Sequence, residues 1–400
     1  MTAAMKYCII VPDGMADYPI PRLADKTPLE AARTPNMDRV AADGIVGAAR
    51  LVPRGMQPSS DVANLALLGY DPSICYTGRG PLEAASIGIK LGPDDVAFRC
   101  NLITVDSDDN IEDYSAGELP TKEAAVLIEA VQKALGGDDL VFHPGISFRN
   151  ILVYSGTREM EPNCFAPHDH MGEPYSKYLP KGRGSAVLID LIEKSRNVLE
   201  SHEVNKVRID LGENPANMIW PWSPGRTPSL QNFTERWALN GAVICAVDLI
   251  RGIAKLAGLT PIEVPGATGS YDTDYAAKGS YAIDALDEYD FVFVHIEAPD
   301  TAGHAADIAQ KIRAIEEIDK HIVGPLHQAL RERGEYRLLI LPDHPTPIAK
   351  RTHVSDPVPF AICGANIVQD DKLPFSESSV ASAKLKFEKG HELMQFLVRG

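Results

Sequence analysis

The sequence predicts an α/β protein with a sheet core and a smaller α+β domain inserted into it. Three short, largely apolar runs, residues 7–11, 291–296 and 336–341, are typical of buried strands, and each is followed by polar residues in a loop. Ligands of α/β proteins bind at such carboxyl ends of strands. A chain of 400 residues also exceeds the size of one ordinary compact core. We therefore expect two domains.

The middle of the chain has a different pattern from either end. Its predicted helices and short strands lie at residues 121–135, 140–142, 151–154 and 185–199. We expect residues 98–211 to form the inserted domain, which would cover the substrate, and residues 1–97 with 212–400 to form the core. The segment 214–228 is rich in Pro and Gly, so it is predicted to be a loop.

Helical patterns complete the predicted core. They lie at residues 28–32, 36–43, 62–68 and 308–322. Thr34-Pro35 is typical of a helix start, because proline fits the first helical position.

Composition and charge exclude several classes of protein. The net charge of −16 argues against nucleic-acid binding, which depends on many Lys and Arg contacts to phosphates. No uncharged apolar stretch approaches the roughly 18–20 residues that a membrane helix needs. The six cysteines form no CxxC pair, so neither a zinc ribbon nor a disulfide framework is indicated, and Cys8 and Cys245 lie in apolar runs typical of inert core residues. A cytoplasmic protein is predicted.

Aspartate and histidine residues cluster after the predicted strands of the C-terminal third. They are Asp300, His304, Asp343, His344 and His353. Imidazole and carboxylate groups suit divalent ions such as Mn²⁺ or Zn²⁺, and residues near strand ends can converge at one edge of a sheet. The alternative is that each residue makes only local hydrogen bonds in its loop.

The N-terminal half adds Asp13 after the first strand and the sequence Ser59-Ser60-Asp61 before a helical pattern. A serine at a helix start is often only a cap. A hydroxyl ionised by a metal at such a position can instead act as a nucleophile toward a phosphoryl group.

These motifs together resemble a known family. Asp13, the Ser-Asp motif, Asp300-x-x-x-His304, Asp343-His344 and His353 occur in the order of the metal site of the alkaline phosphatase superfamily. Within that superfamily, ValProAspGlyMetAlaAsp, TyrThrGlyArgGlyProLeuGluAla and AspHisProThrPro resemble the short, archaeal-type cofactor-independent phosphoglycerate mutases. The resemblance runs from about residue 5 to the C-terminus. It implies an alkaline-phosphatase-like doubly wound sheet core.

The resemblance implies a centre of two divalent metal ions. Asp300, His304 and His353 would hold one ion, and the other would be held by Asp13, Ser60, Asp343 and His344. Mn²⁺ is favoured over Zn²⁺ or Mg²⁺, and no 2,3-bisphosphoglycerate would be needed. Ser60 would be the nucleophile, although Ser59 replaces the glycine that commonly precedes it in the family and stays an alternative.

Cations are needed for the phosphate and carboxylate groups of the substrate, and arginine binds both bidentately. The candidates are Arg79, Arg99, Arg149, Arg226 and Lys278. We favour Arg79, in a loop that resembles the family's, and Arg149, which follows a glycine-containing turn. The alternative for each is a surface or salt-bridge role.

The segment 166–172 contains His168, Asp169 and His170. We interpret His168 and Asp169 as residues that exchange protons with the glycerate hydroxyls, a role suited to imidazole and carboxylate. Local hydrogen bonding and a third metal site are the alternatives.

The resemblance thus implies an enzyme that interconverts 2-phosphoglycerate and 3-phosphoglycerate through a phosphoserine. The superfamily's metal centre also serves other reactions, so a phosphatase or a phosphotransferase acting on another small alcohol, such as homoserine, is the first alternative. A metal-stabilised binding protein without turnover is the second. Small phosphoglycerate molecules are the expected partners, without nucleic acid or membrane, and a homo-oligomer is left open.

Overall fold

The computed structural model describes residues 5–157, 159–369 and 373–400. The chain divides into two compact units. The first unit combines Met1–Tyr76 with Leu230–Gly400, and the second is the uninterrupted stretch Thr77–Ser229. Within the described ranges, no helix combines the length and the apolar character that crossing a bilayer requires.

The N-terminal part of the first unit begins with a strand and continues through short helices. Its elements are β1 (Lys6–Pro12), α1 (Pro28–Ala31), α2 (Pro35–Ala42), β2 (Gly44–Ala49), α3 (Ser60–Leu67) and α4 (Pro72–Cys75). Helix α1 begins with a capping box, in which Thr27 accepts from the Glu30 amide and Glu30 accepts from the Thr27 amide. Pro35 begins α2 as predicted.

The second unit contains both helices and strands. Its elements are α5 (Gly80–Ser86), β3 (Val96–Val105), β4 (Ile111–Asp113), α6 (Thr121–Leu135), β5 (Leu140–Ile146), β6 (Arg149–Tyr154), β7 (Glu161–Asn163), β8 (Lys181–Arg183), α7 (Ser185–Leu199), α8 (Glu203–Asp210) and β9 (Met218–Gly225).

The C-terminal part of the first unit alternates helices and strands. Its elements are α9 (Phe233–Trp237), β10 (Gly241–Ile244), α10 (Asp248–Ala257), β11 (Thr260–Ile262), α11 (Tyr275–Glu288), β12 (Phe291–Ile296), α12 (Ala298–His304), α13 (Ile308–Ile318), α14 (Gly324–Arg333), β13 (Tyr336–Ile340), β14 (Val358–Gly364), β15 (Lys386–Phe387) and α15 (Glu392–Arg399). A π-helical turn, Asp319–Val323, joins α13 to α14.

The sheet of the first unit places the predicted strands side by side. Among the described residues the strand order is β11-β10-β12-β1-β13-β14-β2-β15. Strand β1 runs parallel to both of its neighbours, β12 and β13. Among the described strands of this sheet, only β14 runs in the direction opposite to the others, so it is antiparallel to both of its neighbours. The carboxyl ends of β12, β1 and β13 therefore meet at one edge, as the sequence predicted.

Alternate residues of these three strands form one face of the core. Ile10 of β1, Val294 of β12 and Ile340 of β13 are fully buried there, and helices α11 and α13 pack against this face. Burial of both faces explains why the three strands have nearly continuous apolar sequences rather than alternating ones. The rigid sheet fixes the position of the residues that follow its strands.

The second unit is built on an antiparallel sheet. Strand β3 is buried along its whole length and pairs with β4, β6 and β9. Its residues Phe98, Cys100 and Leu102 share a core with the apolar faces of α6 and α7. On the opposite face, Ala97 packs with Ala84 of α5.

Most of the predicted elements are confirmed. Strand β12 and helices α6 and α7 have the predicted bounds, and β1, β6 and β13 differ by one or two residues at their ends. The predicted helix 308–322 ends as a regular α-helix at Ile318 and continues through the π-helical turn.

The loop predicted at residues 214–228 is wrong, because β9 occupies most of it. Pro221 and Pro224 suggested a loop, but β9 pairs only with β3 among the described strands, and proline is tolerated on such an edge. The pairing also explains the bounds of the second unit. Helix α5 packs on β3 and β9, so the unit begins at Thr77 rather than at residue 98, and ends at Ser229 rather than at 211.

Candidate metal centre and active site

The adjacent ends of β12, β1 and β13 bring the aspartate and histidine candidates together. Asp13 directly follows β1, and its amide donates to the carbonyl of Ile296 at the end of β12. Helix α12 begins two residues after β12 and carries Asp300 and His304 one turn apart. Asp343 and His344 follow β13. The parallel register therefore explains the convergence of residues that are up to 331 positions apart in the chain.

The first group of candidate ligands is Asp300, His304 and His353. The Nε2 atoms of His304 and His353 are 2.9 Å apart, and each lies 3.3 Å from a carboxylate oxygen of Asp300. The Nδ1 atoms face the carbonyl oxygens of Arg351 and Pro58, at 3.0 and 3.3 Å. A carbonyl only accepts, so each Nδ1 carries a hydrogen. Each Nε2 then offers a lone pair when its imidazole is neutral and donates to Asp300 when its imidazole is protonated.

The second group surrounds Asp13. His344 Nε2 lies 3.6 Å from Asp13 Oδ1 and 3.5 Å from Asp343 Oδ2. On the other carboxylate oxygen, His295 Nε2 lies 3.2 Å from Asp13 Oδ2. These four side chains are buried, and Asp300 lies close enough to Asp13 and His344 to belong to both groups.

Ser60 lies at the edge of the second group. It is the first residue of α3, and its Oγ is 3.1 Å from His344 Nε2 and 3.5 Å from Asp13 Oδ2. Ser59 Oγ instead donates to Asp61 Oδ1. The structure thus brings Ser60, and not Ser59, into hydrogen-bonding distance of a candidate metal ligand.

Neighbouring residues hold these groups in place. Asn64 Nδ2 donates to Asp343 Oδ2 at 3.0 Å, and the Gly14 amide donates to Asp343 Oδ1 at 3.1 Å. Thr346 Oγ1 donates to Asp300 Oδ1. Gly14 has φ of +60°, and a Cβ there would lie 2.5 Å from Asp300 Oδ1, so only glycine fits this turn without displacing a ligand.

The pKa values of several side chains in the site differ strongly from their ordinary values. Burial, followed by Asp343, Glu297 and Asp300, raises the pKa of Asp13 well above its ordinary value. Burial lowers the pKa of His295 and of His344 to about 4, so both imidazoles are neutral at pH 7. Burial also acts to raise the pKa of Asp300, but the hydrogen bonds from His304 and His353 outweigh it and hold that pKa well below the ordinary value.

The residues fit divalent cations. Two imidazole nitrogens that face each other across 2.9 Å need a positive charge beside them, either a proton or a cation. Asp13 Oδ1 is buried and has no hydrogen-bond partner among the described residues. Carboxylate and imidazole donors of this kind are the ligands that Mn²⁺ and Zn²⁺ accept in proteins. In the described ranges, every group of three such ligands lies in the first unit.

His295 was not recognised as a candidate ligand in the sequence, because it lies inside the largely apolar run 291–296. The signal was present, because a titratable residue in a strand buried on both faces needs a polar partner. Its neighbour in the sheet is Val11, two residues before Asp13.

The second unit holds a compact group of arginines around Glu83. Arg99 Nη1 lies 3.0 Å from Glu83 Oε1, and Arg79 Nε lies 2.8 Å from the same oxygen. Burial acts to raise the pKa of Glu83, but Arg99, Arg79 and Arg149 together outweigh it and lower that pKa. Three guanidinium groups beside one carboxylate leave a net positive charge, which suits an anionic ligand.

His168 lies beside this group. Its ring contacts Trp222 edge-on, with centroids 5.4 Å apart, and the Arg99 guanidinium lies 5.0 Å from the same Trp222 ring. His168 Nε2 is 3.7 Å from Asp169 Oδ1. Because both His168 and Asp169 are exposed, they are accessible to a ligand. His170 stacks on Tyr178 instead, with centroids 3.6 Å apart.

The remaining two cation candidates are Arg226 and Lys278. Arg226 pairs with Asp94 at 3.2 Å in an exposed position of the second unit. Lys278 is fully buried in the first unit, where its Nζ donates to the carbonyl of Thr268 at 3.5 Å. Burial lowers the pKa of Lys278 to about 8, and Cys245 and Glu297 oppose that shift.

Comparison with known proteins identifies the family. The sequence profile of the 2,3-bisphosphoglycerate-independent phosphoglycerate mutases matches residues 41–205. A relative of that name from Methanothrix thermoacetophila is 49% identical over 397 residues, which are 99% of this chain and 100% of the relative.

Solved structures agree with this comparison. A Pyrococcus horikoshii protein has a TM-score of 0.82 at 30% identity, over 99% of this chain and 97% of its own. A cofactor-independent phosphoglycerate mutase from Thermoplasma acidophilum has a TM-score of 0.65 at 29% identity, over 98% of both chains. The chain belongs to the family of 2,3-bisphosphoglycerate-independent phosphoglycerate mutases.

Proposed function

We propose that the protein interconverts 2-phosphoglycerate and 3-phosphoglycerate through a phosphoserine at Ser60, without 2,3-bisphosphoglycerate. The observation that carries this proposal is the position of Ser60 Oγ, 3.1 Å from His344 in a site of buried carboxylates and imidazoles. Relatives that match almost the whole chain bear the name of this activity. The phosphoserine follows from the family.

The metal centre proposed here has two divalent ions, with Mn²⁺ favoured. Asp300, His304 and His353 would hold one, and Asp13, Ser60, Asp343 and His344 would hold the other. Such cations lower the pKa of a hydroxyl and neutralise the charge of a transferring phosphoryl group.

Ser60 carries the phosphoryl group between the two glycerate oxygens. After Oγ has lost its proton, it attacks phosphorus, and the bond from phosphorus to the glycerate oxygen breaks as the bond to Oγ forms. The released alkoxide takes up a proton. The other glycerate hydroxyl then gives up its proton and attacks the phosphoserine, which breaks the bond to Oγ and restores the free serine.

Further residues are proposed to recognise glycerate and to move its protons. Arg79, Arg99 and Arg149 bind its phosphate and carboxylate groups, in keeping with their net positive charge around Glu83. His168 and Asp169 exchange protons with its hydroxyls. Roles in substrate binding for Arg226 and Lys278 stay predictions, as do a cytoplasmic location and a homo-oligomer.

The test is a coupled assay of 3-phosphoglycerate conversion in the absence of 2,3-bisphosphoglycerate. Metal-stripped protein is resupplied with Mn²⁺, and the Ser60→Ala and Ser59→Ala variants are measured beside the wild type. Turnover that depends on Mn²⁺, is lost in Ser60→Ala and survives in Ser59→Ala supports the proposal. Release of free phosphate without isomerisation would replace the mutase with a phosphatase, and loss of activity only in Ser59→Ala would move the nucleophile.

A further inference from the structure

His295 is buried in a way that its protein neighbours do not compensate. The residue is 0% exposed in strand β12, between Val294 and Ile296, which are also fully buried. Neither ring nitrogen has a hydrogen-bond partner among the described residues. A buried polar group left without a partner destabilises the folded protein. Some further interaction of the ring is therefore expected in the active protein.

The ring faces the second group of candidate ligands. Its Nε2 lies 3.2 Å from Asp13 Oδ2. One nitrogen of His295, one carboxylate oxygen of Asp13 and one carboxylate oxygen of Asp343 all lie within 4.8 Å of one another. The geometry between Nε2 and Asp13 does not form a hydrogen bond, and Asp13 Oδ1 also has no hydrogen-bond partner among the described residues. Two carboxylates and one imidazole thus surround a common point, which is the arrangement that binds a cation.

The second ring nitrogen of His295 lies near a carboxylate but does not hydrogen-bond to it. Such a histidine usually points its other N–H toward a carboxylate or carbonyl oxygen, which orients the ring and raises its basicity. His295 Nδ1 lies 3.9 Å from Glu297 Oε2, two residues along the chain. A small movement of the Glu297 side chain would complete this arrangement.

We propose that His295 Nε2 is a further ligand of the ion held by Asp13 and Asp343. This inference rests on the metal centre of the proposed function, but not on the identity of the substrate. The strand gives the ligand a fixed position, because His295 lies in the sheet beside Val11 and only Pro12 separates Val11 from Asp13. The ion at this place would therefore have one imidazole from a loop, His344, and one from the sheet.

The test counts metal-bound histidines directly in the Co²⁺-loaded wild-type protein. Each coordinated imidazole gives one hyperfine-shifted proton signal that disappears in D₂O, from the N–H of its other nitrogen. If His295 is a ligand, His295, His304, His344 and His353 give four such signals. Three signals with two bound ions would overturn the inference and leave the metal centre intact. A protein that binds no Co²⁺ would overturn both the inference and the proposed centre.

Variants supply the second measurement. His295→Ala should lose one signal and bind one of the two ions at least about tenfold more weakly in a titration calorimeter. The matched control is His327→Gln, which also removes a buried histidine, but one whose Nε2 lies 2.9 Å from Tyr336 Oη, away from the candidate ligands. This control should keep all four signals. Unchanged signals and affinity in His295→Ala would contradict the inference, and the wild-type count decides the question even if that variant fails to fold.

Discussion

The ammonium group of Lys311 lies 2.8 Å from Asp17 Oδ2, and both side chains are almost completely shielded from solvent. Lys311 Nζ also donates to the carbonyl oxygens of Ala16 and Thr346, at 3.3 and 2.8 Å. Ala16 lies three residues after Asp13, and Thr346 two residues after His344. One lysine of helix α13 thus connects the two loops that carry these candidate ligands.

Lys311→Met should destabilise the protein by about 3 kcal/mol or more, because it leaves the buried Asp17 carboxylate without its cation. Urea unfolding of the metal-free protein measures this difference without the contribution of bound ions. The double variant Asp17→Asn/Lys311→Met removes both charges and should be less destabilised than the single variant. A single variant within about 0.5 kcal/mol of the wild type would show that the pair contributes little.

Removing divalent metals should lower the melting temperature of the wild type, and Mn²⁺ should restore it. A ligand that binds only the folded state adds about 2.7 kcal/mol of stability at a concentration one hundred times its dissociation constant. Asp300→Asn should show a much smaller increase, because Asp300 belongs to two of the candidate ligand groups. Asp284→Asn, which alters an exposed carboxylate of α11, is the control and should respond as the wild type does. An equal response of all three proteins would place the ions elsewhere.

Ionisation of the Glu377 carboxyl group should lower the stability of the folded protein as the pH rises toward 7. Burial raises the pKa of Glu377 to about 7 in the folded protein, although Thr27, the Asp17 amide and Lys311 act to lower it. The unfolded chain therefore releases this proton near pH 4.5 and the folded protein near pH 7. The associated stability is fully present below about pH 4.5 and is lost as the pH rises through 7.

The comparison variant is Glu377→Gln, which cannot ionise and whose single side-chain oxygen can still accept from the Asp17 amide, while its NH2 group can donate to Thr27 Oγ1. Free energies of unfolding between pH 4.5 and 8 should fall more steeply for the wild type, with a difference of about 3 kcal/mol across this range. Parallel curves would show that Glu377 titrates normally.

Arg149→Ala should weaken substrate binding in the assay of the proposed reaction. Arg149 packs over the Phe148 ring, 4.8 Å from its centroid, and contributes charge to the group around Glu83. Loss of a charge-assisted hydrogen bond costs about 1.5–3 kcal/mol, so KM should rise roughly tenfold or more. Arg183→Ala removes an arginine whose partners, Glu159 and Glu161, are exposed, and should leave KM unchanged. An unchanged KM in Arg149→Ala would remove this residue from the proposed binding group.

The sequence predicted the site residues that follow a strand, because such a strand can be recognised from the local pattern of apolar residues. Asp13, Asp343 and His344 could be predicted to converge because each directly follows or nearly follows an apolar strand. His295 could not be recognised in the same way, because its role depends on which strand lies beside β12, and strand order is not a local property. Strand β9 was missed for a related reason, since an edge strand that contains prolines has the same local sequence pattern as a loop.

The position of β1 in the sheet has a consequence for folding during synthesis. Its two neighbours, β12 and β13, begin at Phe291 and Tyr336, so β1 leaves the ribosome long before either partner exists. The second unit, Thr77–Ser229, is a continuous stretch whose described strands pair with one another, so it can fold first. We therefore expect nascent chains that end before Phe291 to contain a folded middle segment and an exposed, apolar N-terminal strand, a species that is prone to aggregation.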